Sequence, residues 1–152
     1  MKTAAEIMDR SVPTVSPEAD ARSAIELLAK TDKSAIAVVD EDRRVVGIVS
    51  ESDLILSDEE SDLHLPHYLN IMGGIVFVGS MKGFEKRLEK AFATKVSELM
   101  TADPVVVHDY ASAETVARTI ADKHHNHLPV VDDEGRFVGM VTRADALAAL
   151  VE

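Results

Sequence analysis

The sequence predicts an α/β fold of the α+β kind, in which two β-α-β-β-α units pack together with pseudo-two-fold symmetry. Three observations carry this prediction. VVDEDRRVVGIVSESDLI, from Val38 to Ile55, recurs as VVDDEGRFVGMVTRADAL, from Val130 to Leu147, at a fixed offset of 92 residues with eight identities in eighteen positions. Each copy reads as strand, tight turn, strand, then helix. A unit of about fifty residues with one exposed sheet face is marginal alone, so the two are expected to cover each other.

Taken in order, Thr3 to Met8 reads as a short helical lead-in, with Thr3 and Glu6 spaced as a capping box. Its counterpart is Val96 to Met100, so Met8 and Met100 obey the same offset. Pro13 and Pro104 end the lead-ins and start extended runs. Ser16-Pro17-Glu18 predicts a helix start, with serine as cap and proline in the first turn. Ala21, Ala24, Ile25 and Leu28 then form one apolar stripe, and Ala113, Val116, Ala117 and Ile120 repeat it. Paired strands are expected at Ala35–Val39 with Val45–Ser50, and at Leu128–Val131 with Phe137–Thr142. Gly135 suits a turn at positive φ, whereas Arg43 occupies that place in the first copy, so a different turn is expected there. Gly47 and Gly139, inside strands, mark close backbone approach or a bulge.

The repeats divide the chain into residues 1–56, an insert at 57–94, and residues 95–152. Within the insert an acidic stretch, Ser57 to Asp62, precedes an apolar one, Leu63 to Gly79. Met81 to Ala93 then reads as an amphipathic helix with Phe84, Leu88 and Phe92 on one face. Such a segment either covers the module's own surface or forms a dimer or partner interface.

Composition narrows the function. The formal net charge is −11, which argues against a nucleic-acid surface. One small anion at a local site remains compatible with it. The chain has no cysteine, which suits a reducing cytoplasm and removes thiolate metal sites. The longest apolar run, Leu69 to Val78, is too short to span a membrane, and MKTAAEIMDR lacks the apolar core of a signal peptide. A cytoplasmic location without membrane contact is expected. No Walker loop, cysteine nucleophile, His-x-x-x-His or Gly-x-Ser-x-Gly pattern is present, so no catalytic residue is assigned and the chain is not read as an enzyme.

The chemistry is expected where strands hand over to helices, at Ser50-x-x-Asp53 and Thr142-x-x-Asp145. One reading is a capping box, the hydroxyl accepting from a backbone N–H while the acid supports the first turn. The other uses the same geometry for a ligand. Unpaired N–H groups at a helix start hold a phosphate, and a carboxylate accepts from a ribose diol.

The IM and LM lead-ins before proline, the VVD strand, the Gly47–Asp53 segment and the Gly139–Asp145 segment together resemble the CBS domain, in the tandem arrangement called a Bateman module. The resemblance covers nearly everything outside Ser57 to Thr94. It implies a stand-alone regulatory protein, a homodimer, that binds AMP, ADP, ATP or S-adenosylmethionine and acts on a protein partner, with no cofactor required. It also implies that each hydroxyl and aspartate face the other repeat. One cleft would then combine Thr142 and Asp145 with Val12, Pro17, Ser34 and Ala35, with Lys33 and Arg143 toward phosphate. The other would combine Ser50 and Asp53 with Asp103, His108, Asn126 and His127. The first is preferred for phosphate, because the second lacks an arginine and Asp103 adds negative charge.

The run His124-His125-Asn126-His127, with His64 and His67, invites a metal reading. No cysteine assists it, strand alternation splits the run between faces, and no metal ligands are assigned. His127 is expected instead to contact phosphate better when protonated, so that affinity rises as pH falls. The alternatives to a nucleotide sensor are a structural interaction module with empty clefts and a metal-responsive protein.

Overall fold

A computed structural model describes residues 2–54, 89–123 and 125–152. The first half orders β1 (Thr14–Val15), α2 (Ala21–Ala29), β2 (Ala35–Val39), β3 (Val45–Ser50) and a 3₁₀ turn (Glu51–Leu54) behind the lead-in α1 (Ala4–Ile7). The second half orders β5 (Val107–His108), α4 (Ala113–Lys123), β6 (His127–Val131), β7 (Phe137–Thr142) and α5 (Arg143–Leu150) behind α3 (Val96–Leu99) and β4 (Thr101–Ala102). In both halves a parallel pair, β1–β2 or β5–β6, adjoins an antiparallel hairpin, β2–β3 or β6–β7.

Each sheet is covered by the stripe predicted for its helix. Ala21, Ala24, Ile25 and Leu28 are buried against Ile36, Val38 and Val49. Val116 and Ile120 are buried against Leu128, Val130 and Val141. Phe137 and Met140 of β7 belong to the first cluster, so the two cores meet through the second sheet.

The lead-ins are exchanged between the halves. The Ala4 and Ala5 N–H groups donate to the carbonyls of Ala111 and Asp109, and Asp9 pairs with Met140 at the edge of β7. Reciprocally, Ala21 N–H donates to Thr94, Val96 N–H donates to Ala19, and β4 pairs with β3. The glycines explain the lead-in methionines. A Cβ on Gly139 would lie 2.6 Å from Met8 Sδ and 3.1 Å from the Asp9 carbonyl. A Cβ on Gly47 would lie 2.9 Å from Met100 Cγ and 3.1 Å from the Thr101 carbonyl. Each methionine therefore lies over the other repeat's strand, at a site only glycine leaves open.

Two local expectations are corrected. Helix α2 does not start at Ser16 but at Ala21, capped by Asp20, whose carboxylate accepts from Ser23 N–H at 2.9 Å. Asp20 is held extended by its bridge to Lys95, so Ser16 to Ala19 close only a separate turn. The turn at Arg43 does not differ from that at Gly135. Arg43 itself takes φ 64°, beside φ 80° at Gly135. In both turns one aspartate imposes the shape: Asp40 Oδ1 accepts from Asp42 and Arg44, and Asp132 Oδ1 accepts from Glu134 and Arg136, at 2.9–3.0 Å. The turns then pair with each other, Phe137 N–H donating to Arg43 and Val45 N–H to Gly135.

Most of the expected insert, residues 57–88, lies outside the described residues. Residues 89–92 are helical, and Phe92 packs on the first core beneath the Arg22 guanidinium, 5.2 Å from its ring centre. That end of the insert covers α2.

Candidate ligand-binding clefts

The Thr142 handover forms a full capping box, and the Ser50 handover, which leads into the 3₁₀ turn, forms only its carboxylate half. Asp53 Oδ2 accepts from Ser50 N–H at 2.8 Å and from its hydroxyl at 3.0 Å. Asp145 Oδ2 accepts from Thr142 N–H at 2.9 Å, while Thr142 Oγ1 accepts from Asp145 N–H at 3.2 Å. In neither aspartate does Oδ1 have a hydrogen-bond partner among the described residues. The cap fixes the carboxylate and leaves one oxygen free to accept from a diol. Capping and ligand binding are thus compatible uses of the same residues.

A cleft of about 520 Å³ opens on the Ser50 side. Of the residues expected there, Ser50, Asp53, Asp103, Asn126 and His127 line it, so both repeats contribute walls. Ser34 and Ala35, expected on the Thr142 side, line this cleft as well. They do so because β2 and β6 begin side by side, with Ser34 Oγ 3.3 Å from His127 Nε2. His108 does not reach the lining. It is exposed on β5 and stacks on Tyr110, with ring centres 5.0 Å apart. Glu51, Ser52 and His125 line the cleft without having been assigned to it. His125 was within reach of the sequence, since it stands 92 residues after Lys33.

On the Thr142 side, Lys33 is the central cation. Its side chain is 13% exposed, with Nζ 3.3 Å from Asp9 Oδ2 and 3.0 Å from Asp32 Oδ1. The hydrogen bond to Asp32, and then that to Asp9, raise its pKa against the cost of burial. Asp9 is held below the usual carboxylate range, first by the Ser11 hydroxyl and N–H and then by Lys33. Val12 is buried in the first core, so its side chain is not available to a ligand. Pro17 gives its carbonyl to Ser97 N–H. Arg143 N–H donates to the Asn126 carbonyl, and its side chain borders a groove of about 270 Å³ between α4 and α5. The structure thus gathers Lys33, Ser34 and His127 near Asp145 and sets Arg143 toward the helical face.

His127 lines the Ser50-side cleft and stands near Lys33 and Asp145. Burial lowers its pKa first and Lys33 second, while Asp145 and Glu51 act in the opposite sense. The protonation that would strengthen a phosphate contact is therefore displaced to more acidic pH. Among the described residues no group of three or more His, Asp or Glu is placed to hold a metal ion. His64, His67 and His124 lie outside them.

A family model for the CBS domain matches residues 4–60 and 96–152. The chain belongs to the CBS domain family. An uncharacterised protein of Methanocaldococcus jannaschii, MJ1426, is 33% identical over 132 residues, 84% of this chain and 79% of its own. The chloroplastic CBS domain-containing protein CBSX2 of Arabidopsis thaliana is 28% identical over 144 residues, 94% of this chain and 60% of its own length. The crystal structure of CBSX2 in complex with AMP superposes with a TM-score of 0.69 at 26% identity, covering 99% of this CBS pair and 97% of that chain. The cytosolic domain of the Mg2+ channel MgtE in complex with ATP gives 0.67 at 27% identity, covering 97% and 48%. Among the described residues no helix is long and apolar enough to cross a membrane.

Proposed function

We propose that this CBS pair is a regulatory module that binds an adenosine-containing ligand in its inter-repeat clefts, and is not a catalyst. The observation that carries the reading is the wall composition of the Ser50–Asp53 cleft. Ser50 and Asp53 come from one repeat and Asp103, Asn126 and His127 from the other. A ligand seated there contacts both repeats, so its affinity depends on how they are packed, and binding biases that packing. The AMP complex of CBSX2 and the ATP complex of the MgtE domain support the ligand class. In this reading residues 1–56 and 95–152 are the sensing repeats, and residues 57–94 transmit or cover. The protein works in the cytoplasm as a homodimer through the α4–α5 face, where Leu147 and Leu150 are exposed.

The test is calorimetric titration of adenosine, AMP and ATP into wild type, Asp53→Ala and Asp145→Ala, each first shown to melt as a folded protein. Binding that one variant abolishes and the other keeps supports the sensor and assigns its cleft. No heat from any of the three compounds refutes it.

A further inference from the structure

The two sides are built from equivalent residues but differ in charge. At the offset of 92, Ser50 corresponds to Thr142 and Asp53 to Asp145, so the hydroxyl–aspartate pair is retained. Asp9 and Asp32, beside Lys33, become Thr101 and His124, which makes the Ser50 side less negative, but three other exchanges act in the opposite sense. Arg143 becomes Glu51 on the Ser50 side, Lys33 becomes His125, and Ser11 becomes Asp103. Each of these three leaves the Ser50 cleft with less positive or more negative charge. Glu51, Asp53 and Asp103 all line it, and no lysine or arginine does among the described residues.

Two of these acidic residues have fixed positions. Asp53 is fixed by the two bonds from Ser50. Asp103 follows β4, takes φ 49°, and donates its N–H to the Val46 carbonyl at 3.3 Å, so the β3–β4 pairing sets its position. His127 offers little compensation, since burial and Lys33 favour its neutral form. In a partly enclosed cleft, like charges brought together are screened less than on an open surface. Among the described residues a 5′-phosphate here would meet three carboxylates and no fixed cation, a repulsive element of the kind that sets specificity. A nucleoside ring system needs only the free Asp53 oxygen for its diol and neutral polar groups for its base.

We propose that the Ser50–Asp53 cleft selects adenosine ligands whose 5′ group is uncharged or cationic, a nucleoside or a sulfonium nucleoside, and rejects 5′-phosphates. This rests on the proposed function and names the ligand class of one of its clefts. The Thr142–Asp145 side differs in keeping one cation, Lys33, which stands between Asp9 and Asp32.

The probes are adenosine, S-adenosylmethionine and AMP, titrated with a chelator present so that no divalent cation bridges phosphate to carboxylate. They are applied to wild type, to Asp53→Ala and Asp145→Ala, and to a Glu51→Arg/Asp103→Asn double variant, all with wild-type melting behaviour. The expected result is Asp53-dependent binding of adenosine and S-adenosylmethionine, with AMP at least roughly tenfold weaker at that cleft. The double variant should close that gap by about tenfold or reverse it. AMP binding through the Asp53 cleft as tightly as adenosine would overturn the charge argument while leaving the adenosine sensor standing. So would a gap unchanged in the double variant, or binding that depends on Asp145 alone. If no adenosine compound binds either cleft, the proposed function falls and this inference with it.

Discussion

Substituting Gly139 by alanine tests the exchange of lead-ins directly. The added Cβ would lie 2.6 Å from Met8 Sδ, 2.8 Å from Met8 Cγ and 3.1 Å from the Asp9 carbonyl. The two Met8 contacts are the severe ones, while the Asp9 carbonyl, which accepts from Met140 N–H at 3.0 Å, is only slightly too close. Relief therefore requires Met8 to leave its place over β7. Overpacking of this kind costs about 1–3 kcal/mol, which for a chain of this size lowers Tm by roughly 2–10 °C. Met8→Ala alone loses packing, but Met8 is only half-buried, so its cost falls below the roughly 2–5 kcal/mol of a core methionine. In the double variant the main clash is gone, and the combined loss should fall short of the sum by about 1 kcal/mol. Urea denaturation of the four proteins measures this coupling. Additivity within about 0.5 kcal/mol would mean that Met8 does not lie over Gly139, and the exchanged packing would be refuted.

Two further outcomes are expected. Arg43→Gly should stabilise the protein, since a non-glycine residue at φ 64° costs about 1–2 kcal/mol and the entropy of glycine returns only part of that. A gain of a few tenths to about 1 kcal/mol in thermal melts is the expected size, and a loss would contradict the turn assignment. The pH dependence of stability should carry the mark of His127. Its folded pKa lies below its ordinary value, so the unfolded chain binds more protons and stability declines as pH falls through about 6.5. The carboxylates with lowered pKa, Asp9 and Asp132 among them, lose their contribution only below about pH 4. Urea midpoints between pH 7 and 5 should therefore fall in wild type and stay flatter in His127→Asn. Equal slopes would show that burial does not hold the imidazole neutral.

What the sequence showed and what it hid separate along physical lines. Strands β2, β3 and β7 have the expected bounds, because local alternation and an Asp-closed turn define each hairpin. The handovers at Ser50 and Thr142 were legible for the same reason, each needing only residues i and i+3. The start of α2 was not legible, because Asp20 is extended by a pairing with Lys95, 75 residues away in sequence. The turn at Arg43 was misread by weighing the left-handed residue and not the Asp40 carboxylate that enforces it. His108 was assigned to a cleft by resemblance, yet its side chain is exposed on β5 outside the lining. The exchange of lead-ins was invisible locally, since Thr3 to Met8 forms the same helix whichever sheet receives it.

That exchange gives the molecule the connectivity of a reciprocal clasp. Each repeat holds a slot at a strand glycine and carries, at its own front end, a plug that fits the other repeat's slot. The covalent joint between the repeats is then only one tie among several. A protease nick in the connecting segment would leave the two fragments fastened at both plugs, and they should still migrate together under native conditions. An isolated repeat has an empty slot and a spare plug, so a second copy of itself is the partner that completes it. A duplication that fused two such copies would have turned an intermolecular clasp into an internal one, freeing the two clefts to diverge in charge.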